Sequence, residues 1–207
     1  MPKEEVPLKQ LEAYLPDQSF EAVQYYLVHY KVHLTITRKR ETVLGDYRLP
    51  FAGKNHRISV NGNLNKYSFL ITLLHELAHL FAFEKYGRRI SPHGKEWKQV
   101  FSAVLRQFLD KKVFPADIES ALLHSIHSPA ASSCGDEKLL RVLRNYDAPK
   151  KGHLLVEQLA DGSLFSIKGG RVFRKLEKVR TRYKCLEISN RKMFLFSGLY
   201  EVMPVET

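Results

Sequence analysis

Residues 67–83 read YSFLITLLHELAHLFAF, and Glu76 is their only formal charge. A helix this apolar has to be covered on most of its circumference. Burying a carboxylate in it without a partner costs several kcal/mol, so the fold has to supply something for Glu76 to face. An α-helix sets residues i and i+4 on one face. His75 and His79 can therefore turn two ring nitrogens toward one point, each about 2.0–2.1 Å from a zinc ion. Glu76 flanks that point without having to bind it. Zinc then acidifies a water, and the carboxylate takes its proton as the water attacks a carbonyl. The alternative is a chance HExxH pattern with each histidine bonded locally, but such a pattern would normally have polar neighbours.

Catalytic zinc keeps three protein ligands and an open position. The third candidate is His93, beyond the segment EKYGRRISP, which is long enough to end the helix and fold back. Gly94 is read as leaving room beside the ion. His124 and His127 are rivals, although an i, i+3 pair on an amphipathic helix is more often a solvated edge. His29, His33, His56 and His153 have no spacing that recommends them.

The chain has 207 residues, enough for one compact domain and a smaller second one. At 44% hydrophobic and 27% charged it is expected to be globular rather than disordered. No apolar run reaches the roughly 18 residues of a membrane span, and the first residues lack the apolar core of a secretion signal. Cys134 and Cys185 are too few for a disulfide framework, which suits a reducing compartment, and the expected location is the cytoplasm. The net charge of +11 makes a polyanionic partner plausible.

Before the central helix, Leu8, Leu11 and Leu15 have helical spacing, and Ser19 can cap a helix through about His29. VHLTITRK alternates with strand period, HRISVN is a second short strand, and Asn65 is a plausible cap for the HELAH helix. Tyr86-Gly87-Arg88-Arg89 reads as a helix stop. Trp97, Val100, Phe101, Val104, Leu105 and Phe108 line one face of the next helix, and Pro115 opens another with Ile118, Leu122 and Ile126 inward. The small, polar stretch 128–136 marks the expected boundary, with Leu139, Leu140, Val142 and Leu143 on a short helix after it. Beyond Lys150 the pattern is β, with Asp161-Gly162 a candidate hairpin turn.

HELAHLFAFEKYGRRISPHGKEWKQVF, residues 75–101, resembles the core motif of the SprT-like family, to which the Spartan proteases belong. The resemblance extends by element order over about residues 10–110. It implies a small zincin-like metalloprotease domain, an α+β fold with helices packed on a short sheet and HExxH on the central helix. One zinc per chain would be held by His75, His79 and His93, with Glu76 the general base. Eukaryotic relatives degrade proteins crosslinked to DNA.

The expected organisation is a zincin domain over 1–128, a linker with a short helix over 129–150, and a basic β-rich domain over 151–207. Bacterial relatives often follow the protease domain with a zinc ribbon built on Cys-x-x-Cys pairs, and this sequence has none. A metal-free, ribbon-like β fold is expected instead, packed by Val179, Tyr183, Phe194, Phe196 and Tyr200, with buried structural cysteine as the commoner use of Cys134 and Cys185. Basic residues collect here: Lys168, Arg171, Arg174, Lys175, Lys178, Arg180, Arg182 and Lys184 are the candidate nucleic-acid contacts, with Phe173 and Tyr183 interleaved. A solvated, charged strand face is the competing reading.

The expected function is a zinc-dependent peptidase associated with DNA and acting on DNA-bound proteins. One alternative is a nucleic-acid-binding adaptor with a structural or vestigial zinc site. Another is a peptidase for substrates not bound to DNA. The sequence identifies no oxyanion-stabilising group; Tyr86, Arg88 and Arg89 are near the motif in sequence, with no direction assigned to them.

Overall fold

The computed structural model describes residues 7–40, 43–127, 129, 136–149 and 151–205. It divides into two compact units, Met1–Asp147 and Ala148–Thr207, each with its own apolar core. The architecture is α+β.

The first unit opens with a 3-10 turn over Leu8–Tyr14, followed by α1, Phe20–His29. Leu11, Leu15, Val23 and Leu27 enter the core. Ser19 does not cap α1 as expected; its hydroxyl donates back to the carbonyl of Pro16 at 2.6 Å. Strands β1 (His33–Thr37), β2 (Gly45–Arg48) and β3 (Arg57–Asn61) form a sheet in the order β1-β3-β2. β1 runs parallel to β3, and β2 antiparallel to it. Strand alternation gives this sheet two different faces. Leu34, Ile36, Tyr47, Ile58 and Val60 pack on the core, and the residues between them point the other way. β2 carries no readable sequence signal, being four residues long and starting with glycine.

The central helix α2 spans Lys66–Tyr86. Its N-cap is Asn65, as expected: the side-chain oxygen accepts from the Ser68 N–H at 2.9 Å. The helix is buried on nearly every side from Phe69 to Leu80, which explains its apolar composition. It stops at Gly87, whose φ of 73° lies in the left-handed region that glycine adopts without steric cost. α3 (Lys95–Asp110) buries Trp97, Phe101, Val104, Leu105 and Phe108, the anticipated stripe. α4 (Ala116–Ser125) follows Pro115 and buries Ile118 and Leu122.

α5 (Glu137–Arg144) is capped by Asp136, whose carboxylate accepts from the Leu139 N–H at 3.0 Å. The short helix expected in a linker over 129–150 instead packs into the first unit's core. Leu139 and Leu143, one turn apart, find apolar cover there and are nearly inaccessible. Apart from Pro129 and Asp136, the stretch 128–136, Cys134 included, lies outside the described residues. Among the described residues, no helix is long and apolar enough to cross a membrane.

The second unit is a six-stranded antiparallel sheet. Its strands are β4 (Leu154–Leu155), β5 (Leu164–Ser166), β6 (Val172–Val179), β7 (Arg182–Glu187), β8 (Met193–Ser197) and β9 (Glu201–Val205), in the order β4-β9-β5-β6-β7-β8. Phe165 stacks on Phe173 at 5.6 Å between centroids, and Phe196 meets both edge-on at 5.3 and 5.0 Å. Val156, Leu159, Cys185 and Val202 complete the core.

Two expectations are corrected here. Asp161-Gly162 does not join a hairpin: β4 pairs with β9, and the hairpin partner of β5 is β6, across Gly169-Gly170. The Gln158 side chain accepts the Leu155 N–H at 2.8 Å and bends the chain into a 3-10 turn, so the first β-prone run ends after two paired residues. Val179 and Tyr200 are exposed rather than core, whereas Tyr183 and Phe194 pack at its edge.

Candidate metal centre

His75 and His79 project from consecutive turns of α2, and His93 reaches the same point from the loop before α3. The three rings offer nitrogens that all lie within 4.8 Å of one another. His93 Nε2 sits 3.1 Å from His75 Nε2 and 3.0 Å from His79 Nε2. A tetrahedral ion with Zn–N bonds of about 2.0–2.1 Å would space its ligand nitrogens by roughly 3.3–3.4 Å, close to this separation. Burial lowers the pKa of His75 to about 3 and of His79 to about 4, with each helped by neighbouring imidazoles; burial also lowers His93. All three are then neutral at pH 7, the form in which imidazole presents a lone pair to a metal. The residues present fit a zinc ion. Among the described residues, no other group of His, Cys, Asp and Glu converges this way.

His93 adopts φ 59°, a conformation that L residues rarely take. Such strain persists where the surroundings over-determine it, and the His93 ring packs edge-on against Trp97. The Trp97 ring lies 4.7 Å from His75, 5.2 Å from His79 and 4.7 Å from His93. Trp97 is fully buried, and among the described residues its Nε1 has no hydrogen-bond partner. The room at Gly94 serves the loop rather than the metal point. A Cβ there would meet the Ser91 carbonyl at 3.0 Å.

Glu76 is 7% exposed and its pKa is raised to about 8. Burial is the main cause and Asp46 adds repulsion; Arg40 and a backbone hydrogen bond from Tyr47 oppose it. β2 presses directly on this carboxylate. A Cβ at Gly45 would stand 2.6 Å from Glu76 Oε1 and 2.8 Å from Thr72 Cγ2, so only glycine admits this approach.

Two residues on from Gly45, Tyr47 lies parallel to the His79 ring at 6.3 Å. Its hydroxyl and His56 Nδ1 share a hydrogen bond at 2.9 Å, and His56 Nε2 faces Glu84 at 3.3 Å. Burial, with Glu84 adding repulsion, raises the Tyr47 pKa above its ordinary range, so the hydroxyl stays protonated. The sequence reading missed Gly45, Asp46, Tyr47 and Glu84, and it set His56 aside. Among the described residues, no ring contact or hydrogen bond of the triad involves Tyr86, Arg88 or Arg89.

The eight basic candidates of the second unit divide. Lys175 is 4% exposed, donates to the Leu159 carbonyl at 2.6 Å and lies over the Tyr183 ring, so it is a core residue. Arg171 forms a two-pronged pair with Glu187, both contacts 2.7 Å, and Lys184 binds Glu177 at 2.8 Å. Arg174, Lys178, Arg180 and Arg182 are exposed. Lys168 is exposed in the turn before β6 and is not without a partner.

An α+β protein whose central helix and following loop bring three neutral imidazoles to one point, beside a buried carboxylate, is a protein with a candidate metal centre. Comparison then identifies its family. The SprT-like family model matches residues 11–120, more than half of the chain, and the chain belongs to that family. It is similar to Protein SprT of Enterobacter sp. (strain 638), 58% identical over 31 residues, 15% of this chain and 18% of the relative. Protein SprT of Pectobacterium carotovorum is 53% identical over 32 residues, 16% of this chain and 18% of that protein. Protein SprT of Proteus mirabilis is 43% identical over 56 residues, 25% of this chain and 33% of that protein. The chain thus spans between 18% and 33% of the length of these curated relatives. No solved structure matches it.

Proposed function

We propose that this protein is a zinc-dependent peptidase in which His75, His79 and His93 hold the metal and Glu76 is the general base. The observation that carries this reading is the convergence of three imidazoles beside a buried carboxylate whose pKa burial raises to about 8. Zinc, when bound, supplies a Lewis acid that acidifies water at the open position. A cation at the triad also favours the charged form of Glu76, bringing its raised pKa down toward the range of a working base. Glu76 then accepts the proton of the attacking water and holds it, shielded by α2 and β2, until it passes to the leaving amine. Gly45 and the Tyr47 backbone fix where that carboxylate stands.

The same reading has the protein associate with DNA through Arg174, Lys178, Arg180 and Arg182 of the second unit, and act on DNA-bound proteins. The exposure of these four residues supports it. The test is metal content by elemental mass spectrometry, followed by cleavage of an unfolded protein with and without DNA. The expected result is one zinc per chain, sharply reduced in His93→Ala. A zinc-replete preparation that holds no zinc removes the reading.

A further inference from the structure

The face of the first unit's sheet turned away from α2 forms a cleft of about 630 Å³. We propose that this cleft binds the phosphodiester backbone of nucleic acid, independently of the second unit's basic residues and of the peptidase reaction. Two of its cations are set by strand register: Arg57 on β3 pairs with Arg48 on β2, so two guanidinium side chains stand abreast, with His33 of β1 on the other side of Arg57. Like charges in opposed positions destabilise a sheet unless an anion joins them. Lys54, from the turn between β2 and β3, lines the same cleft.

Among the described residues, Asp46 is the single carboxylate of the lining, and Arg48 takes it at 2.7 Å. Arg40 is held by uncharged acceptors: Asn61 Oδ1, Ser59 Oγ and the carbonyls of Leu44 and Ser59. Among the described residues, neither Arg57 nor Lys54 has an ion-pair partner, and the buried Arg57 Nε has no hydrogen bond at all. Orphaned buried donors are rare enough to ask for a partner.

The occupant's chemistry follows from the donor set. Thr35, Ser59 and Asp46 form the next row of the sheet beside the cationic one, with the Asp46 carboxylate taken by Arg48. Guanidinium, ammonium and hydroxyl donors together suit phosphate, which presents more oxygens than a planar carboxylate. No Phe, Tyr or Trp lines the cleft, so bases have nothing to stack on and recognition is of backbone alone. Binding is therefore independent of sequence and steeply dependent on salt.

The experiment uses the full chain and fluorescence anisotropy with labelled single-stranded and duplex 20-mers of two unrelated sequences, between 50 and 200 mM salt. Lys54→Gln with Arg57→Gln is expected to reduce the slope of log affinity against log salt by about 1.4 for single strands and about 1.8 for duplex. It should weaken both sequences equally. The charge-retaining pair Lys54→Arg with Arg57→Lys should keep the wild-type slope, which separates charge from folding. Arg174→Gln, Arg180→Gln and Arg182→Gln together should leave the cleft's share of the slope in place. An unchanged slope in the glutamine pair overturns the proposal. So does equal loss in the charge-retaining pair, full loss in the second-unit variant, or polyglutamate competing as well as DNA. Cleavage of a DNA-free unfolded protein reads the peptidase separately, so either idea can fail alone.

Discussion

The first unit buries Glu76 and the second buries Glu187, at 7% and 3% exposure, and their surroundings push the two carboxylates in opposite directions. Glu187 receives both prongs of Arg171, with Asn190 at 2.8 Å and Ser189 at 3.3 Å, and its pKa falls to about 2. Glu76 has one opposing cation, Arg40, and one backbone hydrogen bond against burial and Asp46, and its pKa rises to about 8. Buried charge that is fully bonded serves the fold. Buried charge left short of partners, beside three neutral imidazoles, marks a candidate functional site.

The largest expected effect is that of Glu76→Gln. Removing the base should lower the cleavage rate by about 10²- to 10⁴-fold while zinc content stays at the wild-type level. The same variant tests the burial argument in metal-free protein. A carboxyl raised from 4.5 to about 8 binds more protons folded than unfolded, so it weakens the fold as pH climbs through that window. The stability difference between wild type and Glu76→Gln should therefore move in favour of the variant from pH 4.5 to 8. Taking the difference cancels the contribution of the histidines. A flat difference would mean that Glu76 is solvated.

Glu187→Gln should show the opposite sign. The depressed pKa contributes stability that is complete above about 4.5 and is lost as pH falls toward 2. The wild-type second unit should open more readily on acidification through that range. The variant should already be weakened at pH 7 and should lack this part of the acid dependence. Amide hydrogen exchange resolved over residues 172–197 reads the second unit alone. Identical acid profiles would remove the Arg171–Glu187 pair from the account.

How much of this could be read from the sequence depends on how local each feature is. His75, Glu76 and His79 are legible because helical periodicity fixes their relative placement within one turn. His93 is legible from loop length and motif, but its left-handed backbone is not, since nothing in the local sequence signals it. Gly45, Asp46 and Tyr47 are hidden because β2 is four residues long and acquires meaning only from pairing with β3. Lys175 misled for a related reason. A lysine in a basic run reads as surface, and only its cross-strand partner, the buried Cys185, puts it inside. The short helix after 136 also read as a linker because the core that covers Leu139 and Leu143 is remote in sequence.

The smallest predicted effect sharpens the border between groups that react and groups that position. Tyr47 lies parallel to the His79 ring, with its hydroxyl tied to His56 and, through it, to Glu84. Tyr47→Phe keeps the ring and removes only that hydroxyl, and a single neutral hydrogen bond contributes about 0.5–1.5 kcal/mol. Cleavage should therefore fall by roughly tenfold or less, and zinc affinity should weaken by a similar factor. His56→Ala should give the same loss, with no further loss in the double variant, because both changes cut one chain. If Tyr47→Phe instead matches the loss in Glu76→Gln while zinc stays bound, the hydroxyl touches the reacting groups. Tyr47 would then take the oxyanion role that the sequence leaves unassigned.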